Sequence, residues 1–162
     1  MFVPRKPWPF GNEWKTIACG VCRVLFKVEL VEGMDAPAQL KQKYDNLGKT
    51  VGLLLRMTEG FWGTAKIVVL DSGFCVLQGL IELAKRGVFA AASIKKRRYW
   101  PKHIRGEEIK AHFADKQVGE SDAWSGRLDE IPFDIFAMKE PEYVMSMMST
   151  YGMLVAPGKE QK

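Results

Sequence analysis

The stretch that most constrains this chain is residues 65–74, Ala-Lys-Ile-Val-Val-Leu-Asp-Ser-Gly-Phe. A short apolar, β-branched run ends in an aspartate. A small pair, Ser72 and Gly73, then opens a segment with apolar residues at Phe74, Leu77, Leu80, Ile81 and Ala84. The first pattern is that of a fully buried strand. The second repeats at helical spacing and places Phe74, Leu77 and Leu80 in the core. Gly87 stops the helix, and residues 88–94 read as a further strand. A strand–helix–strand unit requires a sheet with helices packed on it.

The flanking sequence extends that sheet. Residues 13–19 and 23–31 read as an antiparallel hairpin. In the second arm Val24, Phe26, Val28 and Leu30 alternate with Lys27 and Glu29, the pattern of a strand half-buried through its apolar face. Pro4, Pro7, Pro9 and Gly11 make residues 1–12 extended, because proline fixes φ and lacks an amide donor. Residues 32–46 form a polar loop. Leu47, Val51, Leu54 and Leu55 predict an amphipathic helix to about Thr58, followed by a turn at Gly60 and Gly63. Past Lys95 a basic, aromatic loop over 99–106 precedes a short helix over 107–112. Short strands are then expected over 113–118, 123–128, 131–138 and 143–149, with a disordered tail over 157–162. The fold class is α/β with a mixed sheet, and 162 residues suffice to bury a core without disulfides or metals.

Composition excludes several function classes. No apolar run reaches the roughly 18 residues that span a membrane. The first residues contain no apolar core of a secretion signal, so an intracellular, non-secreted protein without a membrane partner is expected. Three cysteines, an odd number, argue against a disulfide framework. Cys19 and Cys22 form an isolated CxxC. Zinc would need about two more ligands, and the only histidines, His103 and His112, lie far downstream. Buried or half-buried thiols are the plain reading. A redox use would require a lowered thiol pKa, and the surroundings resemble a strand end, not a helix start. There is no phosphate-binding glycine loop and no Ser/His/Asp set, so no small-molecule cofactor is expected.

Charge is unevenly placed. The net charge is +5, yet residues 83–106 hold eight basic residues and no acid: Lys85, Arg86, Lys95, Lys96, Arg97, Arg98, Lys102 and Arg105. The remainder has 16 basic against 19 acidic residues, a net of −3. A basic segment on an otherwise slightly acidic chain suits a polyanion partner. Lys95 to Arg98 could neutralise phosphates, and Tyr99 and Trp100 could stack on bases. A solvated loop and a nuclear-import signal are the competing readings of the same run.

Asp71 is the candidate for chemistry. Ligands in open α/β sheets gather at the carboxyl ends of strands, and a carboxylate there can hold a hard cation. The same position can cap the helix that follows, by accepting its free amides. Asp115, Asp122, Asp129 and Asp134 lie in turn-like or alternating contexts and read as surface residues.

Four stretches in order resemble the transposase domain of piggyBac-type elements and the proteins derived from them. They are Pro4-Arg5-Lys6-Pro7 with Gly11; Val68-Val69-Leu70-Asp71-Ser72-Gly73-Phe74 with Leu83-Ala84; Ala92-Ser93-Ile94-Lys95-Lys96-Arg97-Arg98 to Pro101; and Lys139-Glu140 to Met148-Ser149. The resemblance implies a ribonuclease H-like, retroviral integrase-type fold. It implies DNA cleavage and strand transfer by three aspartates that hold two magnesium ions. It also implies a DNA partner, a homodimer in the complete family and a nuclear location. Of the three aspartates only Asp71 is carried over, as catalytic and metal-binding residue. Lys95, Lys96, Arg97, Arg98, Lys102 and Arg105 are the DNA-binding candidates. Residues 1–98 are expected to form a partial core that lacks its first strand, and residues 99–156 a β-rich insertion. The family follows this aspartate with Asn and an aromatic, where here Ser72 and Gly73 stand before Phe74. The expectation is a transposase fragment that does not cut DNA alone. The alternative is a non-enzymatic module, adopted by a host, that binds DNA or protein through residues 95–105.

Overall fold

Amide pairing organises the residues described by the computed structural model, which are 13–31, 43–95 and 108–152. In chain order they form β1 (Glu13–Ala18), β2 (Leu25–Val31), α1 (Lys49–Thr58), β3 (Ile67–Leu70), α2 (Leu77–Lys85), β4 (Phe89–Ser93), α3 (Glu108–His112), β5 (Ser121–Leu128), β6 (Ile131–Lys139) and β7 (Val144–Ser149). Single 3-10 turns occupy Asp45–Leu47, Glu59–Phe61 and Ser72–Phe74. The chain divides into two units, Met1–Gly60 and Phe61–Lys162. Among the described residues no helix is long and apolar enough to cross a membrane.

In the first unit β1 and β2 pair antiparallel, as the alternation requires, with Trp14 opposite Leu30 and Thr16 opposite Val28. The orientation differs from the expectation. Val24, Phe26, Val28 and Leu30 are 41–55% exposed. The charged face is the one tied to α1. Arg56 of α1 grips the Glu29 carboxylate with two nitrogens, at 2.6 and 3.2 Å, and reaches Asp45 at 3.1 Å and the Lys43 carbonyl at 3.0 Å. Lys27 donates to the Arg56 carbonyl at 2.7 Å. A planar guanidinium meeting a carboxylate by two bonds gives geometric specificity that apolar contact lacks. Glu29, first among its partners, holds the Arg56 pKa above its ordinary value. Helix α1 buries Val51, Leu54, Leu55 and Met57. Gly52 lies against the turn before it: a Cβ there would sit 3.0 Å from Tyr44 backbone atoms.

In the second unit the strand order is β3-β4-β7-β6-β5. β3 and β4 are parallel, with Leu70 level with Ala92, and the remaining neighbours are antiparallel. The mixed α/β class follows from this sheet. One face carries the core: Ala90, Ala92, Ile135, Ala137 and Met148 are fully buried, as are Leu80, Ile81 and Leu83 of α2, which packs on β4 and β6. Phe113 and Phe133 are buried with them. Burying each such large side chain contributes about 1.5–3 kcal/mol.

Several expectations change here. The run at 67–70 is not buried on both faces. Among the described residues it is an edge strand, and Ile67 and Val69 are 46% and 77% exposed. The helix does not open at Ser72; a 3-10 turn intervenes and α2 starts at Leu77. Leu80 is core, whereas Phe74 and Leu77 are only half-buried. Residues 113–118 are not a strand, because the Phe113 amide still bonds to Ile109 and the chain then turns. Strand β7 pairs with β4, so strands from either side of position 98/99 share one sheet. The Pro-rich start, the loop over 32–42 and the tail over 157–162 lie outside the described residues.

Two local devices close α2 back onto the sheet. Gly87 has φ +69°, and a Cβ there would meet the Gly63 Cα at 3.1 Å. The two segments touch because Gly63 donates to the Arg86 carbonyl at 2.8 Å and Ala65 to the Gly87 carbonyl at 2.9 Å. Glu82, buried on α2, binds Arg86 at 2.5 Å and Lys85 at 3.0 Å. Burial raises the Glu82 pKa, but Arg86 and Lys85 together overcome it and hold the carboxyl below its ordinary value.

Two outcomes are expected. Gly87→Ala forces a left-handed residue against Gly63 and should cost about 1–3 kcal/mol in urea unfolding. Glu82→Gln removes a charged acceptor and should cost about 1.5–3 kcal/mol at neutral pH. Because the folded-state pKa of Glu82 is depressed, its contribution is present above the ordinary carboxylate range and is lost as pH falls through the folded value. The wild type should therefore lose more stability than Glu82→Gln between pH 6 and acid, and equal acid dependence would refute the pairing.

Candidate nucleic-acid interface

Because β3 and β4 run parallel, their carboxyl ends lie at the same end of the sheet, and the two candidate features follow directly from those ends. Leu70 is level with Ala92, so Asp71 comes level with Ser93 and Lys95 lies two residues beyond. The Ile94 amide donates to the Ser146 carbonyl at 2.8 Å, which carries the β4–β7 ladder to the residue before Lys95. Asp71 and Lys95 are both exposed. That end of the sheet thus carries both Asp71 and the start of the basic run. Lys96, Arg97, Arg98, Lys102 and Arg105 lie outside the described residues.

Asp71 is extended, with φ −64° and ψ 156°, and caps the 3-10 turn after it. Its Oδ1 accepts the Ser72 amide at 2.7 Å and lies 3.4 Å from the Ser72 hydroxyl. Its carbonyl accepts the Phe74 amide at 2.8 Å. The capping reading therefore describes the observed contacts, with a turn in place of the expected helix. A capping carboxylate is also held in one orientation, as a ligand must be.

Magnesium requires several oxygen ligands in near-octahedral array, and two ions need shared carboxylates. Among the described residues no three of His, Cys, Asp and Glu converge. Asp71 alone does not fit a two-metal centre.

The other acids have separate roles. Asp129 takes Lys85 at 2.7 Å, and Asp134 accepts the Ser125 hydroxyl at 2.6 Å. Asp122 is more than the surface residue expected. Lys116 and His112 Nε2 both bind its Oδ2, and the His112 ring lies edge-on to Trp124 at 5.6 Å and to Phe113 at 5.2 Å. Burial raises the Asp122 pKa, but Lys116 and then His112 outweigh it and lower the value. The spacing of His112 and Lys116, four residues apart at the end of a short helix, was the available signal. Their acidic partner comes from β5 and could not be read locally.

The cysteines divide as well. Cys75 is fully buried, and burial pushes its thiol up to about 12. Cys19 is half-buried and Cys22 exposed. Cys19 is lowered to about 7, chiefly by the Cys22 and Val21 amides.

The comparisons with known proteins accord with this architecture. The family model described as Transposase IS4 matches residues 1–162. No curated protein matches the chain. Among solved structures, the piggyBac transposase in a synaptic complex with hairpin DNA superposes with a TM-score of 0.71 at 12% identity. That match covers 99% of this chain and 31% of the solved one, so this chain spans about a third of its length. An identity this low speaks for the fold alone. A family match over every residue places this chain in the Transposase IS4 family, and its fold is similar to that of the piggyBac transposase.

Proposed function

We propose that this chain is a DNA-handling portion of a piggyBac-type transposase core that binds phosphates through its basic segment and does not cleave DNA by itself. The observation that carries this is the common carboxyl end of β3 and β4, where Asp71 and Lys95 follow adjacent parallel strands. Lys95 leads into Lys96, Arg97 and Arg98, a density of charge that releases counterions when it meets a nucleic-acid backbone. The solved relative is a transposase bound to hairpin DNA, which supports a DNA partner for this chain too.

The core is read as ribonuclease H-like, with Asp71 at the position of the second of the family's three catalytic aspartates. In that reading Asp71 supplies one oxygen ligand to magnesium and the other carboxylates must join it. A single carboxylate can attract an ion but cannot fix two ions about 4 Å apart, which is the requirement for activating one oxygen and stabilising another. Homodimer formation and a nuclear location belong to the same reading.

The test is fluorescence anisotropy of the purified chain with duplex DNA from about 50 to 200 mM salt, the range over which several phosphate contacts cost orders of magnitude in affinity. Binding should weaken steeply. Replacing Lys95, Lys96, Arg97 and Arg98 by Gln should reduce the logarithmic salt slope by about 3–4. An unchanged slope would remove the basic segment from the interface. In the same tubes magnesium should produce no cleavage; cleavage that disappears in Asp71→Ala would overturn the non-cutting assignment and make Asp71 a working ligand.

A further inference from the structure

The turn between β1 and β2 holds two thiols that the DNA-handling role does not use. The turn is closed by its own backbone: the Cys19 amide donates to the Val24 carbonyl at 2.9 Å and the Arg23 amide to the Cys19 carbonyl at 3.0 Å. The Cys22 amide donates to Cys19 Sγ at 3.4 Å, so the Cys19 sulfur lies against its partner's backbone. A closed turn keeps residues three apart within about 7 Å, the span a disulfide accepts. Access is open, since Cys22 is exposed and Val21 between them is 92% exposed.

We propose that Cys19 and Cys22 form a thiol–disulfide exchange site whose oxidising substrate is a small-molecule disulfide of the glutathione class. The Cys19 thiolate attacks one sulfur of that disulfide, forms a mixed disulfide and releases one substrate thiolate. The Cys22 thiolate then attacks Cys19 Sγ, closes the Cys19–Cys22 bond and releases the second. Two protein thiols lose two electrons, and the substrate disulfide gains them as two thiols. The roles are fixed by the turn: Cys19, whose sulfur accepts amide hydrogen bonds that favour its thiolate, attacks, and the exposed Cys22 resolves. Those bonds bring Cys19 to about 7. Cys75 is the internal contrast: it is fully buried, and desolvation pushes its thiol up to about 12.

The full chain is equilibrated with glutathione buffers of rising oxidised fraction, acid-quenched, alkylated and mapped by mass spectrometry. The expected product has lost two hydrogens within the peptide holding Cys19 and Cys22, reversibly, and C75S behaves alike. C22S should stop at a glutathione adduct on Cys19. At pH 7 Cys19 should alkylate about threefold faster than free cysteine, a roughly 15-fold gain in thiolate set against lower intrinsic nucleophilicity. A wild-type chain that stops at the mixed disulfide, or links only between molecules, would overturn the proposal, as would a Cys19 no faster than free cysteine.

Discussion

Strand β4 is hydrogen-bonded on both sides, and the second unit is arranged around that fact. One edge takes β3 in parallel and the other takes β7 antiparallel. The parallel pairing cannot be made by a tight turn and needs a crossover, which α2 supplies. The antiparallel pairing draws β7 back from the far end of the chain, and β6 and β5 follow it outward as a meander. The sequence of β4, Phe-Ala-Ala-Ala-Ser, suits the place. Ala90 and Ala92 are fully buried beneath α2, where a close-packed helix leaves little depth for side chains.

The same pairing builds the candidate site. Adjacent parallel strands end on the same side of the sheet, so Asp71 and Lys95, 24 positions apart in sequence, both follow strands that end there. Capping of the 3-10 turn then orients the carboxylate. The site needs no flexible loop to bring its described parts together. Polar pairing has the corresponding role in the first unit, where Arg56 fixes the turn at 43–45 and strand β2 to helix α1. Fixing the charged face of the hairpin to the helix is what leaves its apolar face outward.

Much was readable from local pattern. The hairpin, both longer helices, β4 and the three late strands from 121 onward lie near where alternation and helical spacing put them. An acid directly after an apolar strand, as at Asp71, is a local signature. The misreadings share one cause. Whether a β-branched run is central or edge, as for Val69, depends on which strands come back beside it. Which face of β2 is covered depends on where Arg56 finds its acid. The partnership of His112 and Lys116 with Asp122 depends on a strand that starts nine residues after the histidine.

The sequence by itself determined the strand and helix types, the concentration of positive charge after β4, the candidate aspartate and the likeness to piggyBac-type transposases, because propensity, periodicity and motif order act over a few residues at a time. Only the tertiary structure decided that β3 is an edge, that β7 lies between β4 and β6, that the hairpin shows its apolar face, and that Cys19 and Cys75 have opposite environments. Those outcomes rest on pairing between distant segments, whose free energy is set by register, burial and charge in three dimensions and leaves no mark on the local pattern of either partner.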